Sequence, residues 1–156
     1  MDDVLHLIGL CNRAGSLAPG EEPAGAACRA RDCRLLLVAA DTADNTRRRA
    51  EHFAQAGQCL LLTLPYSREE LGAVSGRRFC ALAAVTDIGF ACAMARRLAA
   101  RDEARYGDTA RRLQEKAERA KRRRAEQRAH EKNLRTGGKK SRPYVPTRIK
   151  RAQKER

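Results

Sequence analysis

The chain has 156 residues, with 33 Lys plus Arg against 19 Asp plus Glu, for a formal net charge of +14. That length holds one ordinary domain and a tail, and two full domains would be tight. No apolar run approaches the ~18–20 residues that span a bilayer. Three Phe, three Tyr and no Trp disfavour modules that read nucleic acid by stacking bases on an aromatic platform.

The elements follow in chain order. Val4, Leu5, Leu7, Ile8, Leu10 and Cys11 lie at helical spacing, with Asp2 and Asp3 in the first turn and Gly15 past the end. Residues 16–19 form a connector with room for a brief strand. Gly20-Glu21-Glu22-Pro23 opens a second helix that runs to about Arg31. Residues 35–39 read as a strand buried on both faces. A helix follows from about Asp44 to Ala56, ended by Gly57. Residues 59–64 read as a second buried strand, stopped by Pro65. Ser67-Arg68-Glu69-Glu70 is a capping box for a short helix that stops near Gly76. Residues 79–85 form a third apolar strand, and Asp87 caps a helix through Phe90, Met94 and Leu98. This alternation predicts an α/β fold with helices on both faces of a small sheet.

The charge divides along the chain. Residues 1–98 carry 12 Arg and 11 acids, whereas residues 99–156 carry 21 Lys plus Arg and 8 acids. The expected organisation is a near-neutral domain over 1–98, a basic solvated helix over 99–135 and a disordered basic tail over 136–156. A basic appendage of this kind is an electrostatic footprint for a polyanion, most commonly nucleic acid. Its non-specific phosphate contacts are expected from Arg122, Arg123, Arg124, Lys139, Lys140 and Arg142.

The six cysteines, 11, 28, 33, 59, 80 and 92, form no C-x-x-C pair, and most lie in apolar runs. They read as reduced core residues. His6, His52 and His130 complete no zinc pattern, so neither a metal nor a cofactor is expected. Met-Asp-Asp at the start lacks a basic n-region, which makes the cytoplasm the expected compartment. Asp41 and Asp87 each follow a strand, where open α/β enzymes place catalytic groups. No Walker loop, G-x-G-x-x-G or Ser-His-Asp set accompanies them, so both read as helix caps and no enzymatic activity is expected.

Several motifs then line up in order. They are Leu7-Ile8-Gly9-Leu10 through Arg13-Ala14-Gly15, Gly20-Glu21-Glu22, residues 40–46 (Ala-Asp-Thr-Ala-Asp-Asn-Thr), Leu71-Gly72 with Gly76, and Asp87-Ile88-Gly89-Phe90-Ala91. Over about residues 4–98 the chain resembles the ribosomal protein L-seven-Ae superfamily of kink-turn RNA binders, and most of all its short bacterial, YlxQ-like members. The resemblance implies a three-layer α/β/α sandwich around a mixed four-stranded sheet. It also implies a non-enzymatic, ribosome- or rRNA-associated RNA-binding protein, monomeric when free.

In that family RNA is gripped where a short strand turns into the second helix. Matched residue by residue, Gly20, Glu22 and Arg29 fall on the family pattern, and RNA contact is expected from Gly20, Glu21, Glu22 and Arg29. Glu21 and Gly25 stand where archaeal members have Asn and Lys. Helix N–H groups suit phosphate oxygens, and the Glu22 carboxylate suits guanine N1–H and N2–H donors. The second family contact is the loop before the last strand, here Arg77, Arg78 and Phe79 with Gly76. Arg47, Arg48 and Arg49 read mainly as a solvated helix surface. The alternative is a protein-interaction module whose tail binds RNA without selectivity.

Overall fold

The computed structural model describes residues 2–136. Ten elements follow in order: α1 (Asp3–Arg13), β1 (Leu17–Pro19), α2 (Glu21–Arg29), β2 (Leu35–Val38), α3 (Asp44–Gly57), β3 (Leu60–Thr63), α4 (Arg68–Ser75), β4 (Leu82–Val85), α5 (Ile88–Arg101) and α6 (Glu103–Arg135). The strands form one sheet in the order β1-β4-β2-β3. β4 is antiparallel to both β1 and β2, and β2 is parallel to β3. The small mixed four-stranded sheet of an α/β fold is therefore present.

Side-chain alternation divides the core into two layers. Leu35 and Leu37 of β2 join a cluster with Val4, Ile8, Leu71 and Met94, from α1, α4 and α5. Leu36 and Val38 face the other way, toward Ala24, Cys28, Ala50 and Ala54 of α2 and α3. Helices on both faces make the sheet the middle layer, and every residue of β2 and β4 is buried.

The end signals act as their chemistry dictates. Asp2 caps α1, accepting from the N–H of Val4 and Leu5. Ser67 and Glu70 form the expected capping box, and Gly76 closes α4 in the left-handed region at φ 77. Asp87 caps α5 by accepting from Phe90 N at 2.9 Å. Asp41 behaves differently. The cap position of α3 is Ala43, and Asp41 Oδ1 instead accepts from Arg68 N at 2.8 Å, tying the loop after β2 to the start of α4.

Three expectations change with the tertiary arrangement. β3 is an edge strand, with only Leu62 fully buried. The last strand begins at Leu82, and Phe79 lies outside it, 56% exposed. Residues 99–135 are not solvated throughout. Tyr106, Ala110 and Leu113 are buried in the same cluster as α1 and α5, and Tyr106 donates its hydroxyl to Thr63 O at 3.1 Å. The first compact unit accordingly runs to Ala117, well past residue 98, and a second begins at Glu118.

No helix among the described residues is long and apolar enough to cross a membrane. The tail expected over 136–156 lies outside the described residues apart from Thr136.

Candidate nucleic-acid interface

Gly20 sits between β1 and α2 at φ 103, a backbone conformation that L side chains rarely adopt. Its N–H donates to Leu82 O at 2.8 Å, which fixes the turn to β4. α2 has no side-chain cap hydrogen bond at its N-terminus. Its first turn carries Glu21 and Glu22, and Pro23 has no N–H, so the N–H groups available there are those of Glu21 and Glu22.

The loop between α4 and β4 folds against this turn. Arg77 Nη1 donates to Pro19 O at 2.7 Å. A Cβ on Gly20 would lie 2.9 Å from the same nitrogen, so the missing side chain makes room for the guanidinium. Gly72 allows the loop to double back, because a Cβ there would lie 2.8 Å from the carbonyl oxygens of Arg77 and Arg78. Arg77 is thus a brace between the two candidate segments. Arg78 and Phe79 are exposed on the same loop. The two segments that the sequence placed 58 residues apart form one surface.

Along α2 the residues separate by role. Glu21 is engaged, with an ion pair to Arg49 of α3 and Arg49 Nη2 donating to Glu21 Oε1 at 3.1 Å. This pair gives one residue of the Arg47–Arg49 run a local partner. Arg48 donates to Asn45, and Arg47 donates to Thr63 Oγ1 at 3.0 Å. Glu22 and Arg29 are exposed and have no ion-pair partner among the described residues. With Glu21 and Phe53 they line an open groove of about 310 Å³. Gly25 lies buried beneath this groove, and a Cβ there would be 2.8 Å from Phe53 Cζ. The ring of Phe53 occupies the space that a longer residue at position 25 would need.

Arg122, Arg123 and Arg124 are exposed on α6 within the second unit, where residues 118–135 carry eight basic and three acidic side chains. Lys139, Lys140 and Arg142 lie outside the described residues.

One cluster was not legible in the sequence. Cys28, Cys33 and Cys59 place their Sγ atoms within 4.8 Å of one another. Cys28 is in the last turn of α2, Cys33 lies in the following loop, and Cys59 immediately precedes β3. Proton sharing with Cys33 pulls the Cys59 thiol down to about 7, against burial and with help from Cys28 and the Lys116 ammonium. The same sharing with Cys59, together with burial, pushes Cys33 far up. Burial raises Cys28 to about 11. The spacings of 5 and 26 residues match no motif. The only signal was the excess of cysteine in a short domain.

No family model matches the chain, and no curated protein matches it closely enough to be counted a relative. A solved structure of a protein with unknown function from Bacillus halodurans is similar to it, with a TM-score of 0.54 and 26% identity. The likeness covers 59% of this chain and 92% of that one.

Proposed function

We propose that the chain is a non-enzymatic RNA-binding protein, ribosome- or rRNA-associated, whose first unit recognises a kink-turn-like structured RNA. The observation that carries this reading is the Arg77–Pro19 bond. It joins the turn at Gly20 to the Arg78–Phe79 loop, so two short segments meet at an open helix N-terminus.

The division of labour follows from chemistry. Phosphate oxygens accept from the free N–H groups at the start of α2. Glu22 accepts from guanine N1–H and N2–H, which sheared G·A pairs leave reachable. Arg29 and Arg78 take phosphates on either side of the bend, and Arg77 holds the loop that carries Arg78. The basic residues of α6 and the tail add phosphate contacts that position the RNA without reading its sequence.

Binding to a kink-turn RNA and to a straight duplex of equal length separates selectivity from charge. Glu22→Ala with Arg29→Ala should weaken kink-turn binding about tenfold to a hundredfold, the worth of one or two well-placed polar contacts, and leave duplex binding nearly unchanged. Equal losses on both RNAs would remove selectivity from this site. The exposed Phe79 favours a protein-interaction module as the second reading. That reading predicts no preference for the kink-turn over the duplex, with or without the substitutions.

A further inference from the structure

We propose that Cys28, Cys33 and Cys59 form a binding site for one thiophilic divalent metal ion of the zinc class. The geometry carries this. Zinc–sulfur bonds are about 2.3 Å long, which sets sulfur atoms around one ion about 4 Å apart. The three Sγ atoms already lie within 4.8 Å of one another, although they come from three different segments.

The local backbone is arranged to bring them together. Arg31 and Gln58 are the non-glycine residues at positive φ among those described, at 61° and 53°. Arg31 lies between Cys28 and Cys33, and Gln58 directly precedes Cys59. Each closes a helix in the usual left-handed way, Arg31 N–H bonding to Cys28 O after α2 and Gln58 capping α3, so the two helix ends turn their chains toward one place. Here they also touch, Arg31 Nη1 donating to Gln58 Oε1 at 3.3 Å. Gly57 completes the approach, because a Cβ there would lie 2.7 Å from Cys28 O. That contact brings the end of α3, and Cys59 with it, against the end of α2.

A metal site also needs access and ligands that can ionise. Cys28 and Cys33 are buried, while Cys59 is half-buried. Cys59 borders a surface groove of about 590 Å³ shared with Glu51, Gln55 and Gln58. Each sulfur binds the ion as a thiolate, so every thiol still protonated gives up its proton, up to three per Zn²⁺. A water molecule from the groove would complete four-coordination. Packing alone would be served equally by three small apolar side chains. Cys11, Cys80 and Cys92 are buried outside this cluster.

The full chain, reduced with a phosphine and equilibrated with zinc sulfate, tests the site. One zinc per chain is expected by atomic emission. Cys33→Ser and Cys59→Ser should each weaken binding at least about tenfold, the lower bound set by the loss of mere supporting partners, and Cys92→Ser should leave it unchanged. Zinc should also slow alkylation of Cys59 in the unsubstituted chain, a readout that needs no variant to fold. Failure to retain zinc overturns the proposal. So does zinc that survives both substitutions, unaltered Cys59 alkylation, or a disulfide forming within the cluster in a chain that binds no zinc.

Discussion

Gly25 is buried under the Phe53 ring, and a Cβ added there would meet Cζ at 2.8 Å. Gly25→Ala must therefore displace the ring or separate α2 from α3. A destabilisation of about 1–3 kcal/mol is expected, as for other overpacked sites, and urea denaturation measures it. Gly25→Ala combined with Phe53→Leu should recover part of that loss. Asp2 works at the same scale. Burial pushes its carboxyl up, but bonds from Arg101, Tyr66 and the N–H groups of Val4 and Leu5 outweigh burial and hold it well below the usual range. An acid with a lowered folded pKa adds stability that is complete above its unfolded value, near ~3.9. That stability is lost as pH falls from there toward the folded value. Asp2→Asn keeps a competent cap and removes the charge. It should cost about 1 kcal/mol at pH 7, a figure kept low because Arg101 is 41% exposed. The gap between variant and parent should close in a pH series of thermal melts as pH drops below about 4.

At the scale of elements, α6 is the informative case. Its start carries Tyr106, Ala110 and Leu113 at helical spacing, three apolar positions among many charges. Leu113 is fully buried. Leu113→Ala should therefore cost about 2–4 kcal/mol, in the range of large-to-small core changes, where a solvated helix would lose almost nothing. Thermal unfolding decides between the two. β3 teaches the complementary point. Its apolar run identified a strand, and the strand is there. The same run could not show that β3 sits at the sheet edge, because strand order depends on partners distant in sequence. Caps were readable because they are local: Ser67, Gly76 and Asp87 act within one turn of where they stand. Asp41 was misplaced because its partner, Arg68 N, is 27 residues away.

At the scale of the whole molecule, the basic excess and the candidate interface lie in different units. Residues 118–135 carry eight basic side chains against three acidic ones. For a chain neutralising about six phosphates, log affinity should fall with log salt at a slope near −4 to −5. Arg122, Arg123 and Arg124 changed together to Gln should reduce the slope by about one to two, since successive helix residues point about 100° apart and not all three can face one RNA, and weaken kink-turn and duplex RNA alike. A salt titration of each RNA reads both quantities. Cutting the chain after Ala99 would not be an equivalent test, since it removes Tyr106 and Leu113 from the core.

The α/β rhythm, most helix ends and the uneven distribution of a net charge of +14 can be read along the chain. Each of these follows from composition or from neighbours a few residues apart. Three facts emerge from the folded chain: the first unit reaches Ala117, Arg77 braces the turn at Gly20, and three cysteines converge on one point. Those facts depend on which helices cover which face of the sheet and on two left-handed turns that bring α2, α3 and β3 together. Such juxtapositions are fixed by packing between distant segments and leave no periodic mark along the chain.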